Sequence, residues 1–148
     1  MPKEILFELA TPERSLYSES VEAVILPTVT GEITVLPGHV PLISVLVPGM
    51  VTVRANGKES YLAITGGYLE VQSGSRLLVM ADACDRAEEL NPERVEAARE
   101  RARQALEDSR DADAMAVAAM TAALDREMAR LKAVRRHRSR RLPNLSGE

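Results

Sequence analysis

Aromatic residues are scarce in this sequence of 148 residues, which has no tryptophan, one phenylalanine and three tyrosines. Proteins that bind single-stranded nucleic acid stack the bases on aromatic side chains, so the scarcity counts against such a role. The formal net charge of −3 gives no overall attraction to a phosphate backbone either. We therefore expect no nucleic-acid partner.

Cysteine and long apolar runs are also nearly absent. The single cysteine, Cys84, excludes an intrachain disulfide, and we interpret it as a structural or incidental thiol in a reducing compartment. No run approaches the roughly 20 apolar residues that a membrane span needs. The first residues lack the hydrophobic core of a signal peptide. Membrane association is therefore expected only through partner proteins.

Patterns of catalytic residues are missing too. The two histidines, His39 and His137, are not accompanied by a nucleophile at catalytic spacing. The sequence has no cluster of metal ligands and no glycine-rich loop that would hold a phosphate. It therefore predicts no metal site and no enzymatic activity for the chain by itself.

The first part of the chain, up to about Asp82, has the residue pattern of strands. Apolar and polar residues alternate with a period of two, as in the stretch from Ile5 to Leu9. Asn56-Gly57 predicts a tight hairpin, because both central residues of such a turn need positive φ. Ser73-Gly74-Ser75 indicates another hairpin. Short strands at this spacing predict a compact antiparallel sandwich or barrel.

The second part has helical spacing. Asn91 is a favourable N-cap and Pro92 suits the first helical position. Either Asp111 or Asp113 can cap a second helix after a short polar connection, and a short connection predicts an antiparallel hairpin. The apolar stripe of the second helix is predicted to consist of Met120, Leu124, Met128 and Leu131.

The second helix is unusually rich in alanine. Between Ala112 and Val134 there are nine alanines but only two leucines and two valines. Alanine favours helix formation, but one methyl group contributes only about 0.8 kcal/mol on burial. We predict a hairpin that forms readily, docks weakly and can change its position. A small hairpin that never moves is the alternative, and the sequence favours neither.

The segment from Gly31 to Pro41 reads GEITVLPGHVP and joins a short strand to a Pro37-Gly38 turn and a further proline. Proline has no N–H for a strand ladder, so this segment must turn at an edge or end of a sheet. With Pro48-Gly49-Met50, the stretch from Thr65 to Val71, and Ala81-Asp82, it resembles the epsilon subunits of bacterial F-type ATP synthases. The resemblance covers roughly residues 3 to 135.

The resemblance implies an α+β fold in two parts. Residues 1–84 are expected to form an antiparallel β-sandwich of about ten strands, and residues 85–136 an α-helical hairpin. Residues 137–148 are expected to form a basic, flexible tail. The implied function is that of a central-stalk (rotor) subunit that couples the gamma subunit to the c-ring. The hairpin is implied to inhibit ATP hydrolysis.

The resemblance also implies partners and a location. The sandwich is expected to bind gamma and to rest on the c-ring, and the hairpin is expected to reach the alpha and beta subunits of the catalytic head. The chain itself carries no catalytic residue in this family. Its place is the cytoplasmic face of the bacterial plasma membrane, where it is peripheral and held through the complex. The alternative is a freestanding sandwich whose basic helical arm binds nucleic acid or anionic lipid.

Two residues match the ring-facing part of the family. Glu32 follows the glycine that opens the motif, and His39 follows Pro37-Gly38. At a strand start and in a proline-flanked turn, both are expected to be exposed and able to make polar contacts. The alternatives are that Glu32 is simply solvated and that His39 caps its own turn.

Some relatives bind ATP through the motif Ile/Leu-Asp-x-x-Arg-Ala at the start of the first helix, where this chain has LNPERV from residue 90. Asn91 and Val95 break the motif, while Arg94 is retained. Guanidinium groups suit phosphate oxygens, so Arg94, Arg101 and Arg126 are the candidates for regulatory ATP binding. With the motif broken, we expect no cofactor and a surface role for these arginines.

The last candidate group is basic. Seven basic residues and no acidic one lie between Arg130 and Arg141. In the family, basic residues of the second helix meet an acidic segment of the beta subunit, and Arg130, Lys132, Arg135 and Arg136 are assigned to that contact. Such attraction falls off over about 8 Å at physiological salt, so it acts only at short range. A solvated tail or contact with anionic lipid are the alternatives.

Overall fold

A computed structural model describes residues 3–141, with the side chain of Arg141 excluded. Ten strands come first, followed by a 3₁₀ turn at Ala87–Glu89 and two helices. The strands are β1 (Ile5–Ala10), β2 (Ser15–Val21), β3 (Ala23–Thr28), β4 (Gly31–Val35), β5 (Leu42–Leu46), β6 (Gly49–Ala55), β7 (Lys58–Ile64), β8 (Gly67–Gln72), β9 (Arg76–Ala81) and β10 (Cys84–Arg86). The helices are α1 (Pro92–Glu107) and α2 (Ala114–Arg141). The predicted β-sandwich followed by two helices is confirmed.

The strands form one continuous ten-stranded sheet that folds over on itself. Their order is β10-β7-β6-β3-β5-β8-β9-β1-β2, and β4 pairs with β3 at the side of this path. Inward side chains from both layers share one core, which includes Phe7, Leu26, Val51 and Leu69. Each such fully buried side chain contributes about 1.5–3 kcal/mol. The core therefore lies within the sandwich, and the hairpin adds to its outside.

Three details of the sheet differ from the prediction. The pairing of β1 with β9 is parallel, so the sheet is mixed and not purely antiparallel. Although the sequence predicts that the run from Val21 stops at Pro27, because proline has no N–H for a strand ladder, β3 continues to Thr28, with Pro27 opposite Glu32 in the pairing of β3 with β4. Although Pro27 cannot donate a hydrogen bond, its carbonyl accepts one from the Val47 amide at 3.2 Å. Strand β2 was not predicted, because most of its side chains are exposed or half-buried and do not alternate.

Both helices begin where their capping residues predict. The Asn91 side chain accepts hydrogen bonds from the amides of Glu93 and Arg94 at 3.0 and 3.1 Å. Asp113, not Asp111, caps α2, because its carboxylate accepts from the Ala116 amide at 2.8 Å. Each cap satisfies amides that have no partner inside the helix.

The hairpin rests on the sandwich through α2, which packs on β6 and β7, while α1 packs on α2. Ala129 and Ala133 of α2 lie against Tyr61, Ala63 and Ala87. Leu131 and Val134 turn towards Val95 of α1 instead. The predicted stripe is therefore only partly correct: Leu131 is buried, but Met128 is 48% exposed. The apolar contact between sandwich and hairpin consists largely of methyl groups.

Helix α2 extends beyond the boundary expected at residue 136 and continues to Arg141. Five residues assigned to the flexible tail are thus helical. The remainder of that tail, residues 142–148, lies outside the described residues.

Candidate functional site

Glu32 and His39 lie at opposite ends of β4. Glu32 is exposed at the second position of the strand, next to a turn in which the Thr28 hydroxyl donates to the Gly31 carbonyl. His39 is half-buried, and its Nδ1 donates to the Val40 carbonyl at 2.7 Å. The imidazole therefore bonds its own turn, as one of the two interpretations predicts. Among residues 3–141, the carboxylate of Glu32 has no hydrogen-bond or salt-bridge partner.

An exposed apolar patch lies on the outer face of the sheet. It consists of Val29, Ile43, Val45 and Tyr68, with exposed fractions of 59, 73, 55 and 46%. Val45 is directly opposite Tyr68, and the Val29 amide donates to the Val45 carbonyl at 3.1 Å. Residues two apart on a strand share a face, so Ile43 lies beside Val45. We call these four residues the sheet patch.

Two apolar stretches of the sandwich, residues 42–47 and 77–79, differ in their exposure. Leu77 and Val79 are buried at 1 and 0% exposure and belong to the interior core. Within the other stretch, residues 42–47, the outward side chains of Ile43 and Val45 are exposed and Leu46 is buried. The alternation of β5 therefore presents one apolar face to the outside.

Three of the four predicted contact residues of the basic segment share one groove. Lys132, Arg135 and Arg136 line a groove of about 960 Å³ between α2 and the turn from β5 to β6. Its remaining lining is largely apolar and includes Val47 and Met50. The groove thus presents three cations and the carboxylate of Asp125 around an apolar floor.

Arg130, the fourth residue, points to the sandwich. Its Nε donates to the Asp85 carboxylate at 2.7 Å, and its Nη1 donates to Glu127 at 2.6 Å. Further along α2, Arg140 donates to Glu59 at 2.6 Å. Two arginines therefore bridge the hairpin to the sheet.

Glu59 is the centre of the second bridge. Its side chain is 10% exposed and accepts from the Tyr61 hydroxyl at 2.7 Å and from Arg54 at 2.9 Å as well as from Arg140. The hydrogen bond from Tyr61, followed by that from Arg54, holds the pKa of the Glu59 carboxyl below its usual range. The carboxylate is therefore charged at neutral pH. Sequence reasoning found neither Glu59 nor Asp85, because nothing local distinguishes them from solvated strand residues.

The comparisons with known proteins agree with this architecture. Residues 4–87 match the family model described as ATP synthase, Delta/Epsilon chain, beta-sandwich domain. The chain is 43% identical over 106 residues to the ATP synthase epsilon chain of Carboxydothermus hydrogenoformans, covering 72% of this chain and 78% of the relative. It is 38% identical over 136 residues to the epsilon chain of Herpetosiphon aurantiacus, covering 92% and 98%. The chain belongs to the ATP synthase epsilon family.

A solved structure extends the similarity to the fold. One chain in the cryo-EM structure of Euglena gracilis mitochondrial ATP synthase, OSCP/F1/c-ring in rotational state 1, is similar with a TM-score of 0.77 at 27% identity. The match covers 90% of this chain and 82% of that chain. As an ATP synthase epsilon chain, the molecule is a component of a larger complex. The freestanding module considered above gains no support from these relatives.

The residues of the ATP-binding motif have other surroundings in this epsilon chain. Asn91 uses its side-chain oxygen to cap α1. Arg94, Arg101 and Arg126 are exposed, and none of them forms a salt bridge within residues 3–141. The structure therefore places these arginines on the helix surface, where solvent already satisfies them.

The described part of the chain has neither a cluster of metal ligands nor a helix suited to span a membrane. Between residues 3 and 141 no group of three or more His, Cys, Asp or Glu side chains is placed to hold a metal ion. Over the same range, neither helix combines the length and apolar character that crossing a membrane requires.

Cys84 is expected to react slowly with alkylating reagents. Burial, with a smaller contribution from Asp85, raises the pKa of its thiol to about 12. Since the thiolate is the nucleophile and an ordinary cysteine has a pKa of about 8.5, alkylation at pH 8 should be roughly a thousandfold slower than for a free cysteine. Iodoacetamide labelling followed by mass spectrometry measures this rate, and urea-unfolded chain is the control. Equal rates in the folded and unfolded chains would contradict the prediction.

Proposed function

We propose that this chain is a non-catalytic rotor subunit of a proton-translocating F-type ATP synthase. In this proposal the sandwich couples the gamma subunit to the c-ring, and the hairpin restrains ATP hydrolysis by the catalytic head. The observation that carries the proposal is that the chain has two chemically different surfaces. The sandwich has an exposed apolar patch, and the hairpin has a groove lined by basic residues. Because the chain belongs to the epsilon family, we propose that both surfaces contact other subunits of an ATP synthase.

The sheet patch is the proposed contact with gamma. Contiguous exposed apolar residues on a small soluble domain mark interaction surfaces, because their exposure to water is unfavourable. Ile43 and Val45 lie on β5, which pairs with β8 along its whole length and with β3 at Leu46. The pairing with β8 holds both residues in fixed positions. A rigid apolar surface of this kind suits a permanent contact between subunits.

Glu32 is the proposed contact with polar loops of the c-ring. It lies beside the tight turn before β4, three residues after Val29 of the sheet patch. An exposed carboxylate in such a position makes polar contacts without apolar burial. His39 is proposed to keep its turn in shape rather than to bind the ring, because its Nδ1 is already bonded to Val40.

The basic groove is the proposed contact with the head. Lys132, Arg135 and Arg136 are exposed along α2, and Arg135 has only a 3.4 Å bridge to Glu96. Such groups attract an acidic surface of the beta subunit once the hairpin has come close to it. The subunit is proposed to be peripheral at the cytoplasmic face of the bacterial plasma membrane and to reach the membrane only through the complex.

Removing the hairpin is expected to accelerate ATP hydrolysis several-fold without preventing assembly. The test compares the full chain with a chain ended after Leu90, which keeps β10 and the 3₁₀ turn, in a reconstituted head with gamma. The triple variant Lys132→Gln, Arg135→Gln and Arg136→Gln should raise the rate in the same direction. Arg103→Gln on α1 is the matched control, because that arginine pairs only with its own helix.

The outcomes of this experiment separate the parts of the proposal. An unchanged rate with intact assembly would remove the inhibitory role and leave the sandwich as a coupler. Failure of the full chain to bind gamma would contradict the rotor role itself.

A further inference from the structure

The contact between α2 and the sandwich combines weak apolar packing with two strong polar bridges. The apolar part consists of the methyl groups of Ala129 and Ala133 against Tyr61, Ala63 and Ala87. The polar part consists of Arg130 with Asp85 and of Arg140 with Glu59. The residues of these bridges are 45 and 81 positions apart in sequence, so the bridges fix tertiary structure and not helix formation.

In each bridge the carboxylate is largely withdrawn from water. The side chains of Asp85 and Arg130 are 33 and 27% exposed, and that of Glu59 is 10% exposed, whereas that of Arg140 is 49% exposed. Hydrogen bonds to a charged group that is largely withdrawn from water are stronger than those of fully exposed pairs. The acceptors are also held in place: Asp85 by the pairing of β10 with β7, and Glu59 by Tyr61 and Arg54.

The same two arginines belong to the basic segment that carries the positive charge of the hairpin. In the docked position their guanidinium groups are taken up by Asp85 and Glu59, while Lys132, Arg135 and Arg136 face the groove. An arginine cannot donate the same N–H groups to two carboxylates in different places. Docking on the sandwich and binding of an external acidic surface therefore compete for Arg130 and Arg140.

We propose that Asp85 and Glu59 form an internal latch that holds the hairpin on the sandwich and withholds Arg130 and Arg140 from acidic surfaces of other proteins. The latch deepens the proposed function, since it sets the balance between a docked hairpin and one that is free to act. Its existence as a docking device is testable in the isolated chain. Its effect on hydrolysis rests on the proposed inhibitory role.

The first experiment measures the position of the hairpin in the full chain alone. Nitroxide labels on Ser18→Cys and Ala122→Cys, in a Cys84→Ser background, report the separation of sandwich and α2 by double electron–electron resonance. Both labelled positions are exposed. The double variant Glu59→Gln and Asp85→Asn is expected to lower the ratio of docked to undocked chains at least tenfold, because it removes both charge-assisted bridges.

Two further variants keep the result interpretable. Arg130→Gln with Arg140→Gln breaks the same bridges from the helix side, leaves the sheet untouched and should undock the hairpin equally. Arg54→Gln is the matched control: it removes a partner of Glu59 within the sheet and leaves the bridge to Arg140, so docking should persist. An unchanged distance distribution in both double variants overturns the latch.

The second experiment measures ATP hydrolysis by the reconstituted head with gamma. Releasing the arginines by Glu59→Gln with Asp85→Asn is expected to deepen inhibition, whereas removing them by Arg130→Gln with Arg140→Gln is not. Deeper inhibition by the carboxylate variant alone, when both variants undock equally, supports competition for the arginines. Deeper inhibition by both variants to the same extent overturns the competition. If the distances respond but neither variant changes the rate, the latch stands and the proposed inhibitory role fails.

Discussion

Replacing Ile43 with aspartate is expected to weaken binding of the gamma subunit by roughly a hundredfold or more. Ile43 is the most exposed member of the sheet patch at 73%, so the substitution should leave the fold of the free chain intact. In a complex that covers the patch, the carboxylate would be withdrawn from water without a partner, which is strongly unfavourable. Isothermal calorimetry or interferometry with purified gamma measures the loss.

A matched substitution separates a contact with gamma from a general effect of added charge. Leu36 is 53% exposed and lines a hollow with Ile25 and Thr52, and no residue of the sheet patch lines that hollow. Leu36→Asp introduces the same group at comparable exposure and should change the affinity by less than about threefold. Thermal unfolding of both variants verifies that they are folded. Equal losses of affinity would exclude the sheet patch as the specific contact.

The strands that the sequence predicted are those with a local signal. Asn56 and Gly57 adopt φ of 53° and 72°, as the predicted hairpin requires. The parallel pairing of β1 with β9 joins residues about 70 positions apart, such as Phe7 and Leu77. No local pattern encodes such a partner, because both strands alternate in the same way whichever neighbour they have. The pairing of β1 with β9 is therefore determined by how the whole sheet closes.

The residues of the candidate site also differ in whether the local sequence predicts their role. The basic residues of α2 are visible in sequence because they are clustered within residues 130–141, and three of them do share one groove. Glu59 and Asp85 are not visible, since their role depends on arginines far along the chain. His39 shows the converse, because its residue type suggests a site although the imidazole bonds the adjacent carbonyl. Residue type therefore indicated candidates, and tertiary contact determined which of them act together.

The alanine-rich composition of α2 bears on whether the hairpin can move away from the sandwich. On the helix side, burial of the two alanine methyl groups contributes about 1.6 kcal/mol, which is small for a contact between two parts of a protein. The charged bridges then carry a large share of the specificity of docking. Charged contacts can be exchanged for other charged contacts, whereas a large apolar core cannot be opened cheaply. A hairpin held in this way suits an element with two positions of similar free energy.

The sandwich, by contrast, should tolerate little change beside the sheet patch. Replacing Gly67 with alanine is expected to destabilise the fold by about 3 kcal/mol or more. Gly67 has a φ of +129°, and an added Cβ would lie 2.0 Å from the Met80 carbonyl oxygen and 2.9 Å from the Ala81 Cα. Both obstacles are backbone atoms of a paired central strand, so they cannot move aside as a flexible side chain would.

Gly74→Ala is the matched control for that substitution. Gly74 also has positive φ, at +82°, but nothing lies within 4 Å of its added Cβ. The control therefore carries the conformational cost alone, about 1–2 kcal/mol. Urea unfolding by linear extrapolation gives the free energy of unfolding of both variants. A similar loss of unfolding free energy in the two variants would mean that the backbone beside Gly67 shifts to accommodate the added Cβ. A larger loss at Gly67 would mean that the close approach of β8 and β9 helps to fix Tyr68, and with it the sheet patch, in place.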